Sequence, residues 1–248
     1  MTTVGVDLAA QPKDTGLATI DWSNRRAIVR ELIVDADDDL IVHAVAKAEK
    51  AGIDCPFGWP KPFVTFISSH QDASVVIPKE VAGSDWRRRL LFRTTDTVIR
   101  RATGLMPLTV AADRIGHTAL RCAVLLAQLA LRDMAVDRAG GGRVVEVYPA
   151  ASLKQWGLRH RRYKGAANQP NRNALVDELS IAAPWLSLGD YELVCRRSDH
   201  ALDAVIAGLT ARASFLGLAT QPSKEEADVA AIEGWIALPT SSLQALNG

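Results

Sequence analysis

Residues 4–34, VGVDLAAQPKDTGLATIDWSNRRAIVRELIV, decide how the chain begins to fold. Residues 4–9 form a short apolar run interrupted only by Asp7, and residues 11–16 follow with the Pro, Asp and Gly of a turn. Residues 17–22 and 27–34 are rich in branched side chains and meet at Ser23-Asn24, which predicts three strands in an antiparallel meander. Asp37, Asp38 and Asp39 then load a helix N-terminus with negative charge, and Leu40, Val42, Ala46 and Ala48 lead to Gly52, a predicted helix stop. Ile53-Asp54 begins a fourth strand that Cys55-Pro56 cuts short.

About ninety residues separate Asp54 from Glu146, far more than the dozen or so that a parallel crossover needs. The stretch must therefore hold several helices, the longest predicted over 110–136. Gly140, Gly141 and Gly142 read as a flexible turn into 143–148, RVVEVY, a nearly all-apolar segment that suits a buried parallel strand. Helices follow near 171–180 and over 198–216, the latter closed by Gly217, and 233–238, EGWIAL, could add an edge strand to the sheet. This order predicts an α/β fold in one domain over 1–248. Its mixed sheet has five strands in the order 3-2-1-4-5, flanked by helices, with a long helical insertion between strands 4 and 5 at about 60–140. That order is characteristic of the ribonuclease H-like fold.

Composition narrows the class. Of 248 residues, 48% are hydrophobic and 23% charged, enough for a large core and incompatible with disorder or low complexity. Lys and Arg number 29 against 28 Asp and Glu, so any polyanion must be held by local clusters. Cys55, Cys122 and Cys195 have no CxxC spacing, which argues against a zinc ribbon and a disulfide framework. The start of the chain has no secretory pattern, and the most apolar segment, 119–135, carries Arg121, Gln128 and Arg132. A cytoplasmic protein with no membrane span is expected; oligomeric state stays open, a homodimer among the options.

The acids are the informative feature. Asp7, Asp54 and Glu146 are each a lone carboxylate in an otherwise apolar strand segment, where burial requires a shifted pKa, a cationic partner or a metal. Any one of them could instead cap a turn. Asp199 and Asp203 lie four apart on one helix face; Ser198 as N-cap and the helix dipole account for Asp199, but not for Asp203 a turn further in. Carboxylate oxygens suit hard cations, Mg²⁺ or Mn²⁺, whereas His and Cys are too sparse for zinc. His200, between the paired acids, could reach substrate or point into solvent. Two basic clusters supply a partner: Arg87, Arg88, Arg89, Arg93, Arg100 and Arg101, then Lys154, Arg159, Arg161, Arg162 and Lys164 with Trp156, His160 and Tyr163 interleaved. Arg87, Arg88, Arg93, Arg159, Arg161, Arg162, Tyr163 and Lys164 are candidate nucleic-acid contacts. A solvated surface is the plain alternative for such runs, and Arg93 could equally pair with Asp96.

VGVDLAA, IDCPFGWP, Arg93-Thr-Thr-Asp96, EVYPAASLKQWG, YKG, SDHALDAVIAGLTA and EGWIALP together resemble the domain of unknown function 429 family, which is described as predicted nucleases of ribonuclease H-like fold related to Holliday-junction resolvases. The resemblance implies that Asp7 is the first-strand metal ligand, Asp54 the fourth-strand ligand, and Asp199 and Asp203 the acids of the last helix, with Glu146 either a supporting ligand or a residue behind the ligands. It implies hydrolysis of nucleic-acid phosphodiesters by two divalent ions, Mg²⁺ or Mn²⁺, with Asp7 bridging both. Two rivals remain. One is a phosphotransferase or ATPase of the sugar-kinase-like branch, which needs a second phosphate loop and an adenosine-binding glycine pair that the sequence does not show. The other is a non-catalytic nucleic-acid-binding module.

Overall fold

A computed structural model of the chain describes residues 1–76, 79 and 84–248. The element order is β1 (Thr2–Asp7), β2 (Gly16–Ser23), β3 (Arg26–Val34), α1 (Asp38–Lys47), β4 (Lys50–Asp54), α2 (Lys61–Gln71), α3 (Asp85–Leu91), α4 (Thr94–Thr103), α5 (Ile115–Ala130), β5 (Val144–Glu146), α6 (Pro149–Gln155), α7 (Gln169–Ala182), β6 (Leu186–Ser187), α8 (Glu192–Arg197), α9 (Asp199–Phe215) and α10 (Ala227–Glu233). The strands form one mixed sheet in the order β5-β4-β1-β2-β3-β6. It has six strands and not the expected five, because β6 adds a parallel edge beside Ala27 and Ile28 of β3. Two residues are too short to carry a period, so β6 left no pattern in the sequence.

The meander forms as its turn chemistry dictates. Asn24 and Arg25 take left-handed backbone angles (φ 49° and 59°), the geometry of a tight two-residue hairpin between β2 and β3. Asp37 caps α1 by accepting from the Leu40 N–H. That helix ends at Ala48, and Gly52 is not its stop; Gly52 lies inside β4, opposite Gly5 of β1. The expected long helix over 110–136 shortens to α5, since Asp133 turns left-handed (φ 57°), and the longest helix is α9 with 17 residues. Residues 235–238 run beside β5 through a bridge between Glu146 and Ile236 and form no regular strand. The insertion between β4 and β5 contains α2 to α5; its residues 77, 78 and 80–83 lie outside the described residues. No helix of the described residues is long and apolar enough to cross a membrane.

Strand alternation sorts side chains to two cores. Val4, Val6, Ala51 and Ile53 point to one face, where Ile41 and Val45 of α1 and Leu125 and Leu129 of α5 cover them. Ala18, Ile20 and Trp22 point to the other, beneath Val205 and Leu209 of α9 and Leu175 and Leu179 of α7. Gly5 and Gly52 also face α9, and the helix lies on them almost at backbone distance. A Cβ at Gly5 would sit 2.0 Å from the Ala204 carbonyl oxygen and 2.2 Å from the Gly208 nitrogen; one at Gly52 would sit 2.5 Å from the Ala207 oxygen. Glycine is required there for space.

Gly5→Ala must displace α9 or distort β1, since the new methyl meets rigid α9 backbone at Ala204, Ala207 and Gly208. A loss of about 3 kcal/mol or more is expected in urea unfolding, and a midpoint within error of wild type would refute the close approach.

Candidate metal centre

Two residues beyond Gly5 and Gly52 on the same strands stand Asp7 and Asp54, which pair directly in the parallel β1–β4 register. The period of two puts both carboxylates on the face that α9 covers. On α9, Asp203 lies one turn before Ala207, the residue over Gly52, so it faces the two strand ends. Oxygens of Asp7, Asp54 and Asp203 come within 4.8 Å of one another. Asp203 is fully buried, Asp7 is buried, and Asp54 is half-buried.

Three cation-bearing or hydrogen-donating groups close around the acids. Lys164 Nζ lies 2.5 Å from Asp203 Oδ2, with about half of its side chain (52%) open to solvent. The Tyr163 hydroxyl donates to Asp203 Oδ1 at 2.8 Å, and His200 Nδ1 lies 2.6 Å from Asp7 Oδ2. Burial pushes the Asp203 carboxyl up to about 6, with the Lys164 charge opposing and Asp7 adding to the rise. Burial likewise drives Asp54 well above the usual carboxylate range; Lys164 pulls it back, while Asp7 and Asp203 push it further. The hydrogen bond to Asp7 raises His200, favouring the imidazolium. Burial alone would lower Lys164, but the charges of Asp203, Tyr163, Asp54 and Asp7 outweigh it and raise it well above the ordinary lysine value.

The structure holds the other expected ligands apart from this cluster. Glu146 is gripped by Arg93 in a two-pronged pair (2.8 Å and 2.7 Å), accepts the Phe57 N–H at 2.9 Å, and so has its oxygens committed. Burial raises its carboxyl, and Arg93 opposes that shift. Asp199 sits at the start of α9, 3.7 Å from Arg172 and accepting from the Gly165 N–H. The same placement revises the candidate nucleic-acid contacts. Arg93 is 2% exposed and also binds Asp96, so the local ion pair is realised and its guanidinium cannot reach a phosphate in solvent. Tyr163 is 1% exposed, so it cannot stack on a base. Arg159 pairs with Glu178; Arg87 and Arg88 lie over Trp86 and Phe92; Arg161 and Arg162 are exposed. Lys164 points into the acids.

A family model described as "Protein of unknown function (DUF429)" matches residues 5–227. The chain belongs to the DUF429 family. No curated protein and no solved structure matches it. The matched span of this DUF429 chain contains all three clustered acids and the residues that hold them.

Sequence reasoning missed Arg172. It is 1% exposed and donates to the carbonyl oxygens of Tyr163 and Gly165 on one side and Arg196 and Arg197 on the other, which fixes the loop that presents Tyr163 and Lys164 against the start of α9. Its only sequence signal is an arginine in a segment free of acids, which reads as surface. The donor set of the cluster, carboxylate oxygens with no sulfur, is one that a hard cation could accept.

Asp54→Asn removes one like charge. Groups whose folded pKa is raised contribute stability below their unfolded pKa and lose it as pH rises through the folded value. The variant should therefore melt about 2–5 °C above wild type in metal-free buffer at pH 7.5, with the gain shrinking at pH 5; a lower Tm at pH 7.5 would contradict the repulsion. Arg93→Met strands Glu146 and Asp96 and should cost about 3–5 kcal/mol in urea unfolding, whereas Arg161→Ala should stay within about 0.5 kcal/mol. Equal effects would disprove the buried role of Arg93.

Proposed function

We propose that the protein is a divalent-metal-dependent nuclease of ribonuclease H-like fold. The observation that carries the reading is the convergence of Asp7, Asp54 and Asp203, from two adjacent strand ends and one helix, to within 4.8 Å. Three ionised carboxylates against one ammonium and one imidazolium leave a net negative charge, which favours a bound cation. The ribonuclease H-like assignment is supported by β1 standing between an antiparallel meander and the parallel strands β4 and β5, with α9 packed across β1, β2 and β4.

Asp7, Asp54 and Asp203 would hold Mg²⁺ or Mn²⁺, which supplies Lewis acidity to activate water and to stabilise charge on a phosphoryl oxygen. The chain's own residues supply position. His200 fixes the orientation of the Asp7 carboxylate, and Tyr163 and Arg172 do so for Asp203 and the loop beside it. Lys164, half open to solvent and beside all three acids, is the cation nearest an arriving phosphodiester. Arg161 and Arg162 on the same loop would bind backbone phosphates, with Arg87 and Arg88 of α3 as further phosphate contacts.

One observation favours a second reading. Lys164 already places a positive charge on Asp203, so a nucleic-acid-binding module could balance part of the cluster with no ion.

Labelled single-stranded, duplex and branched substrates with Mg²⁺ or Mn²⁺ separate the two. Metal-dependent cleavage is expected, falling by about 100-fold or more in Asp7→Asn, together with a rise in Tm on adding Mn²⁺ that Asp7→Asn abolishes. Cleavage that survives Asp7→Asn belongs to a contaminant, and salt-sensitive binding indifferent to Mn²⁺ selects the second reading.

A further inference from the structure

A cavity of about 450 Å³ opens beside the acid cluster, with Asp54 and Lys164 in its lining. Its volume falls in the range of roughly 300–1,000 Å³ typical of small-molecule sites. Arg114, which directly precedes α5, and Arg162, from the loop that carries Lys164, line it, and neither side chain has a hydrogen-bond or ion-pair partner among the described residues. Arg162 holds a left-handed backbone (φ 57°), a conformation that costs a non-glycine residue about 1 kcal/mol and here sets the course of the loop at the cavity. Tyr148, half-buried, and Leu108, 47% exposed, line the same space. Arg93 and Glu146 also border the space but are committed to each other.

We propose that this cavity receives a single nucleotide, either the end of a strand or one unit pulled out of a stack. The inference rests on the nuclease reading and specifies its substrate. Free guanidiniums beside a cation-seeking acid cluster suit a phosphate, and an aromatic ring with an aliphatic wall suits a base or sugar. A base stacked inside a duplex cannot enter a space of this size; a frayed or extruded one can. The insertion supplies Leu108 and Arg114 to the lining.

Calorimetric titration with thymidine 5′-monophosphate, inorganic phosphate, a 20-nucleotide single strand and the matching blunt duplex tests this, with and without Mn²⁺. The mononucleotide should bind with a Kd of roughly 10–100 µM, at least about tenfold tighter than phosphate, and the single strand should displace it about tenfold better than the duplex. Arg114→Ala and Arg162→Ala should each weaken the mononucleotide about tenfold. Leu108→Trp, which fills the cavity from an exposed position, should weaken it at least as much with Tm and the Mn²⁺-induced rise in Tm unchanged. Mononucleotide binding no tighter than phosphate, indifference to Leu108→Trp in a folded protein, or equal competition by duplex and single strand would overturn the proposal. Absence of any Mn²⁺ effect on wild type defeats the metal reading alone, because the metal-free titrations still decide the cavity.

Discussion

The distance between α9 and the sheet sets everything the site depends on. Gly5 and Gly52, paired across β1 and β4, let the helix backbone settle where any side chain would collide with Ala204, Ala207 or Gly208. Because side chains alternate along a strand, the next residues on that face, Asp7 and Asp54, come under the first turns of the same helix, where Asp203 meets them. A longer helix-to-sheet distance would separate the acids and leave Asp203 as an ordinary buried carboxyl. Small residues and close-set acids are thus two consequences of one packing arrangement.

That arrangement costs stability. Carboxylate oxygens under 5 Å apart repel by roughly 1 to 3 kcal/mol per pair, from water-like to protein-like screening, and burial penalises each charge further. The raised carboxyls of Asp54 and Asp203 are the visible sign of that penalty. Strain of this kind persists when the rest of the fold over-determines it, and α9, buried along nearly its whole length, provides the rigid support.

Two buried arginines do the corresponding work around the centre. Arg93 ties Glu146 of β5 to Asp96 of α4 and reaches the Glu233 carbonyl at the end of α10, so the insertion and the C-terminal region are anchored to the sheet at one guanidinium. Arg172 ties the Tyr163–Gly165 loop to the start of α9 through four carbonyl oxygens. Arginine serves in both places because its planar fork offers five donors in fixed directions and stays charged when buried. The first protects the sheet edge; the second fixes the loop that carries Lys164 to the acids.

The meander, the parallel strands bearing Asp7, Asp54 and Glu146, and the helix bearing Asp199 and Asp203 were all legible in the chain, since periodicity and turn residues act over short spans. The two-residue strand β6 and the bridge at Ile236 were not, for they depend on neighbours distant in sequence. Nor could the sequence say which lone carboxylates would meet. Asp7, Asp54 and Asp203 cluster, while Glu146, which local pattern does not separate from Asp7 and Asp54, is held by Arg93, and Asp199, which its place just after the Ser198 N-cap sets apart, lies beside Arg172. Residue order determined the elements and the buried acids; only the tertiary structure decided their partners, because charge pairing depends on distance in space, and distance is set by how closely helix and sheet can pack.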